Sequence, residues 1–208
     1  MKQKYLLFGA GLVALALVIF LVLGNENDTQ AYKEKVENDR LNRDRYFKNS
    51  AESPITKKDS FVGLQYFAIN PDFKIKAKLS LIKGAEPFPI QMTKGDAEKY
   101  AKFGYATFKY QGKEYKILLL HKPGDKFLFL PFLDASNKKT TYRGGRYINN
   151  VAFPKTDEVI LDFNYATNPY CVYNDDYTCP IPPKENRLDF EINAGERLYQ
   201  KSDNQNNK

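Results

Sequence analysis

Residues 73–79 read Phe73-Lys74-Ile75-Lys76-Ala77-Lys78-Leu79. Every second residue is apolar and each one between is a lysine, and side chains alternate between two faces in this way only along an extended strand. The stretch predicts a strand with one face in a core and the other in water. Outward from it, short aromatic or β-branched runs bounded by Gly, Pro and Asn recur at 61–67, 88–92, 104–110, 114–120, 127–132, 146–148, 158–163 and 188–192. Gln111-Gly112 falls between two of them and predicts a hairpin. Eight or nine short strands with no long helix among them predict an all-β domain, a sandwich or barrel-like.

Before the strands the composition changes twice. Residues 5–24 run YLLFGAGLVALALVIFLVLG without a charge, and about twenty such residues are what a helix needs to cross a hydrocarbon core. Lys2 and Lys4 precede the run and Glu26 and Asp28 follow it, so the N-terminus is expected in the cytoplasm and the rest on the periplasmic or outer side of the inner or cytoplasmic membrane. The run exceeds the roughly 7–15 apolar residues of a cleaved signal and no small-x-small pair follows it, which favours a single-pass anchor over a signal peptide. Residues 31–48 lack Pro and Gly and are densely charged. They predict a helix with a thin apolar stripe (Tyr32, Val36, Phe47), a stalk or a helix lying on the domain, with a partner helix as the other use. The chain is thus expected to divide into an anchor (1–24), a polar spacer and helix (25–52), one β-rich domain (53–196) and a polar tail (197–208), with little to bury from Glu196 onward.

The chain carries 32 Lys and Arg against 25 Asp and Glu, formally +7. Removing Lys2 and Lys4 leaves +5 beyond the membrane run. Basic and acidic residues are interleaved as in Lys33-Glu34-Lys35, without a basic stripe, so nucleic acid is not an expected partner. Gly-x-Ser-x-Gly, a phosphate-binding loop, His-Glu-x-x-His and a dinucleotide fingerprint are all absent, which disfavours the familiar catalytic classes.

The densest segment is 161–186, LDFNYATNPYCVYNDDYTCPIPPKEN. Its succession Asp162, Asn164, Asn168-Pro169, Cys171, Tyr173, Cys179-Pro180, Pro182-Pro183, Glu185-Asn186 resembles the bacterial family domain of unknown function 1684. The resemblance extends to Phe61, Gly63-Leu64 and Tyr66-Phe67, to Phe129, Pro131-Phe132 and Asp134, and to Thr141-Tyr142 and Gly145-Arg146-Tyr147, covering roughly residues 40–196. It departs from the family at Thr167, where an aromatic is expected, and at Asn149, where an acid is expected. The family label names no activity, so the resemblance implies fold and boundaries rather than chemistry.

Candidate sites follow from residue chemistry. Cys171 and Cys179 are the only cysteines, and in an exported compartment a close pair is expected to form a structural disulfide. Closing about nine residues would stabilise by about 2.5 kcal/mol in the chain-entropy model. A metal site of Cys171, Cys179 and His121 lacks a fourth ligand, so no metal is expected, and no cofactor is indicated. Arg143 and Arg146 flank two glycines and suit a carboxylate or phosphate. With Asp162, Asn164 and Asn168 they form the candidate ligand-binding set, for a small molecule or an envelope polymer. The expected function is a membrane-anchored binding or envelope-maintenance module. The alternative is an unrecognised enzyme, a hydrolase using His121 or Asp134 and Asp162 as acid and base.

Overall fold

The computed structural model describes residues 28–84, 86–95 and 97–200, in two units, Met1–Asn42 and Arg43–Lys208. The expected membrane run, 5–24, lies outside the described residues; among these, no helix is long and apolar enough to cross a membrane. The described part of the first unit, 28–42, is helical, with an exposed Lys35–Asp39 ion pair at 2.9 Å. Helical residues 43–49 open the second unit, so the helix expected at 31–48 is slightly longer at both ends.

The second unit is mostly β. Seven strands form one sheet: β1 (Lys74–Leu81), β2 (Pro87–Ile90), β3 (Glu98–Tyr110), β4 (Lys113–His121), β5 (Leu128–Phe132), β6 (Arg146–Val151) and β7 (Glu158–Asp162). Their order is β6-β5-β4-β3-β1-β7, with β2 also paired to β3, and every pairing is antiparallel. The sheet curls into a half-barrel whose end strands β6 and β7 approach each other. Gln111 and Gly112 both take positive φ, 48° and 80°, the conformation a two-residue hairpin between right-twisted strands demands.

β1 alternates as its lysines require: Ile75, Ala77 and Leu79 are buried, while Lys74, Lys76 and Lys78 are exposed. The buried set joins Phe108 of β3, Ile117 and Leu119 of β4, Leu130 and Phe132 of β5 and Val159 and Leu161 of β7 inside the curl. β4 and β5 are different. Ile117 to Leu120 and Leu128 to Phe132 are buried without alternation, because both faces of the sheet are covered there. Leu118, Leu120, Phe129 and Tyr147 pack on the outer face with Ile90, Tyr100 and Cys179.

Two expected strands are absent. Residues 61–67 form no ladder; Leu64 N–H turns instead to Asp44 Oδ1 at 3.1 Å and Phe67 N–H to Gly195 O at 2.9 Å. Residues 188–192 are likewise irregular, yet Leu188, Ile192 and Ala194 plug the inner core. Alternation marks which residues are buried, and here a loop buries them without a neighbouring strand.

Gly195 sits at φ +74°, where an added Cβ would lie 2.6 Å from Ala166 O and 2.7 Å from Phe163 O. Gly112, at φ +80°, has open space around it. Gly195→Ala is therefore expected to cost at least the 1–3 kcal/mol of backbone strain (order of magnitude), and more than Gly112→Ala, read as a lower urea midpoint at unchanged m-value.

Candidate functional site

The C-terminal segment has no strand of its own, so its backbone groups need partners from elsewhere. Arg146, at the start of β6 and fully buried, supplies them. Its guanidinium donates to the carbonyls of Ile192 (2.8 Å), Ala194 (2.5 Å) and Glu196 (3.1 Å) and to Asp134 Oδ2 (3.1 Å). Burial pulls the Arg146 pKa down from its ordinary value, and the Asp134 charge opposes that pull. Asp134 Oδ1 in turn accepts from Ser136 N–H (2.8 Å) and Ile192 N–H (3.3 Å).

A second buried charge lies next to the first. Glu196, expected at the head of a polar tail, is fully buried. Its carboxylate accepts from Asn168 N–H (3.1 Å), Asn168 Nδ2 (3.0 Å) and the Tyr173 hydroxyl, with Arg43 at 3.7 Å. Burial raises the Glu196 pKa, and Arg43, Tyr173 and Asn168 hold it down in part. For Arg43 burial works against the charge, but Glu196, Tyr173 and Tyr66 outweigh it and the pKa rises. Among the described residues, Asn168 Oδ1 and Arg43 Nε are buried without a hydrogen-bond partner, as are Arg146 Nε and Thr140 Oγ1.

The candidate residues from the sequence do not converge. Asp162 Oδ1 accepts from Asn164 N–H at 3.1 Å and caps the 3-10 turn Phe163–Tyr165. Asn164, almost fully buried, clasps Asn70 through both its backbone groups at 2.9 and 2.8 Å. These two and Arg146 are committed to the fold. Arg143 is exposed on the turn before β6, beside the Tyr142 hydroxyl. His121 sits edge-on to Phe153, centroids 5.1 Å apart. Of the set, Asn168 alone lines a cleft.

That cleft, about 480 Å³, lies where residues 167–170 cross β6. Tyr147 and Thr167 exchange both backbone hydrogen bonds at 2.9 Å, which lays the segment along the strand. Arg43, Tyr147, Asn149, Asn168, Tyr170 and Tyr177 form most of its wall, with Thr178 and Cys179 at one side. A hollow of about 340 Å³ beside it shares Tyr147 and Asn149 and adds Tyr100, Lys126 and Phe129. The Tyr147 hydroxyl donates to Pro180 O, and burial above all pushes its pKa up, so it acts as a neutral donor. None of His121, Asp134 or Asp162 lines either space.

Cys171 and Cys179 are adjacent free thiols, Cys171 N–H lying 3.3 Å from Cys179 Sγ. The hydrogen bond with Cys179 lowers the Cys171 pKa to about 7 against the opposing effect of burial, with Tyr142 assisting. The same bond, and burial, push Cys179 up. Among the described residues no three His, Cys, Asp or Glu side chains are placed to hold a metal ion.

Residues 59–197 match the model of a family described as protein of unknown function DUF1684. The chain belongs to the DUF1684 family. It is similar to an uncharacterised protein of Haloarcula marismortui solved by solution NMR, at 31% identity and TM-score 0.66, covering 83% of this chain and 97% of that one. No curated protein matches the sequence.

The DUF1684 match includes Glu196 but stops short of Arg43, so one wall of the cleft comes from outside it. The two positions where this chain departs from the expected pattern meet in the cleft: Asn149 Nδ2 lies 3.3 Å from Thr167 Oγ1. Glu196 and Arg43 escaped the sequence reading, since neither sits in a motif and a charge flanking a polar tail reads as solvated.

Two outcomes are expected for the DUF1684 domain. Asp134→Ala leaves the Arg146 charge buried and unpaired, and should cost about 3–5 kcal/mol in urea unfolding. Burial raises the Glu196 pKa above its unfolded value of 4.5, so the folded chain binds the proton first. Its contribution is then fully present below pH 4.5 and is lost as pH rises through the raised pKa. Glu196→Gln should remove that slope from a series of urea midpoints measured between pH 4 and 8.

Proposed function

We propose that this protein is a membrane-anchored extracytoplasmic binding module whose cleft beside Tyr147 takes an acetamido sugar of an envelope polymer. The anchor is residues 5–24, and the domain faces the periplasm or cell exterior, as the flanking charges favour. One observation carries the ligand assignment. The cleft-lining residues Asn168 and Arg43 hold one unpartnered acceptor, Oδ1, and one unpartnered donor, Nε–H. Both atoms are enclosed, so a ligand meets them only once the two side chains turn into the cleft; an unmet buried polar group costs about 1–3 kcal/mol, and an amide offers both complements at once, its N–H to Asn168 and its carbonyl to Arg43. Tyr147, Tyr170 and Tyr177 supply the flat apolar walls with polar tips that suit a sugar ring. In that compartment Cys171 and Cys179 have the conditions to close a disulfide.

The hydrolase reading has less support, because it needs an acid and a base at one place. Asp134 is held by Arg146, Asp162 caps a turn, and His121 packs on Phe153.

The test is a titration of the folded domain with tri-N-acetylglucosamine and, in parallel, with maltotriose, followed by amide and side-chain NMR shifts. Shifts confined to Asn168, Thr178 and Cys179 and their neighbours are expected with the acetamido sugar alone. Tyr177→Ala should weaken that binding about tenfold, roughly 1.4 kcal/mol. Equal response to both sugars, or none at millimolar concentration, would sink the assignment.

A further inference from the structure

Cys171 and Cys179 are eight residues apart and adjacent in space, yet the two sulfurs are held differently. Cys179 is fixed and buried. Its N–H donates to Thr93 Oγ1 (2.9 Å) and its carbonyl accepts from Thr93 N–H (2.8 Å). On either side Lys94 N–H reaches Thr178 Oγ1 (3.1 Å) and Ile181 N–H reaches Gln91 O (2.8 Å). Its side chain packs among Tyr100, Phe129 and Tyr147 with 4% of its surface exposed.

Cys171 is partly exposed and lies in the 3-10 turn Tyr170–Val172, with the Tyr142 hydroxyl against its thiol. The loop joining the two cysteines is already shaped. Asp176 N–H bonds Asn174 Oδ1 at 2.9 Å and Tyr177 N–H bonds Asn174 O at 3.2 Å. Cys171 is thus the more exposed residue of the pair, and Cys179, which borders the cleft, is the one whose backbone is bonded in place. A purely structural bridge has no need of that asymmetry.

We propose that Cys171 and Cys179 form an exchange-active dithiol, Cys171 attacking a low-molecular-weight aliphatic disulfide and Cys179 resolving the product. The Cys171 thiolate attacks one sulfur of R–S–S–R, a Cys171–S–S–R bond forms, and RS⁻ leaves and takes a proton from water. Cys179 gives up its proton and attacks Cys171 Sγ, the mixed disulfide breaks, and the second RS⁻ leaves to be protonated in turn. The protein loses two electrons and two protons, and one disulfide becomes two thiols. In the reverse direction a small thiol attacks Cys171 Sγ of the bridge, and Cys179 is the leaving group.

The proposal goes beyond the ligand assignment and stands without it. Its test uses the full chain, reduced and freed of reductant, mixed at pH 7 with oxidised glutathione and quenched in acid at intervals. The adducts are then mapped by peptide mass. The expected course is a transient glutathione adduct on Cys171 and then the Cys171–Cys179 bridge, with two glutathione thiols released per chain.

A thiol ionising near pH 7 is about half thiolate there, against about 3% for an ordinary cysteine. Its lower intrinsic nucleophilicity returns about fivefold of that gain, leaving a rate about threefold above a cysteine peptide. Cys179→Ser should stop at a stable adduct on Cys171, and Cys171→Ser should lose the fast reaction. An adduct forming first on Cys179 in the wild-type chain, or a rate at or below that of the peptide, would overturn the proposal. Both readouts come from the unmodified sequence and do not depend on either variant folding.

Discussion

A guanidinium with no exposure to water holds the C-terminal part of this domain in place. A buried cation is tolerable only with a charge partner and acceptors for most of its donors. Arg146 finds one carboxylate, on Asp134, and three carbonyls from residues 192, 194 and 196. The dependence is mutual. Ile192, Ala194 and Glu196 enter the core on a segment without a ladder, and Arg146 meets their carbonyls there. The cation therefore does for an irregular segment what a neighbouring strand does for a regular one, and it fixes where Glu196 must lie.

From Glu196 the order spreads to the cleft. Its carboxylate takes both donors of Asn168 that face it, the Tyr173 hydroxyl and the charge of Arg43. Helical residues 43–49, the 166–173 segment and the C-terminal segment are thereby brought to one place. Phe47 adds edge-on contacts to Tyr170 and Tyr173 at 6.0 and 5.0 Å. The donors of Asn168 are consumed in this network, which leaves its Oδ1 as the group with spare capacity. The wall of the cleft is thus a by-product of satisfying a buried acid, and its polarity was set when that acid was enclosed.

The cysteine loop belongs to a different layer. It lies over the outer face of the sheet, where Leu118, Leu120, Phe129 and Tyr147 would otherwise be wet. Covering that face explains why Ile117 to Leu120 of β4 and all of β5 are buried without alternation and why β1, whose outer face is open, alternates. Cys179 is part of this cover, and Cys171 is its edge.

Much of the architecture was legible in local pattern. Lys74 to Leu79 alternates because a strand has a period of two, and Gln111-Gly112 turns because both positions must take positive φ; neither depends on what lies far away. The family was legible in the spacing from Asp162 to Asn186 for the same reason. Burial was harder to read. Residues 61–67 and 188–192 have the aromatic and apolar content of strands but bond to Asp44, Leu133 and Asp134 instead of to a ladder. Arg146, Asp162 and Asn164 looked like ligand groups because their residue types are the same whether they meet a ligand or their own backbone. Tertiary structure alone decided that these serve the fold, that Glu196 is interior, and that Asn168 with Arg43 borders the cleft. Each depends on groups tens of residues apart being desolvated together, and no local sequence period encodes that.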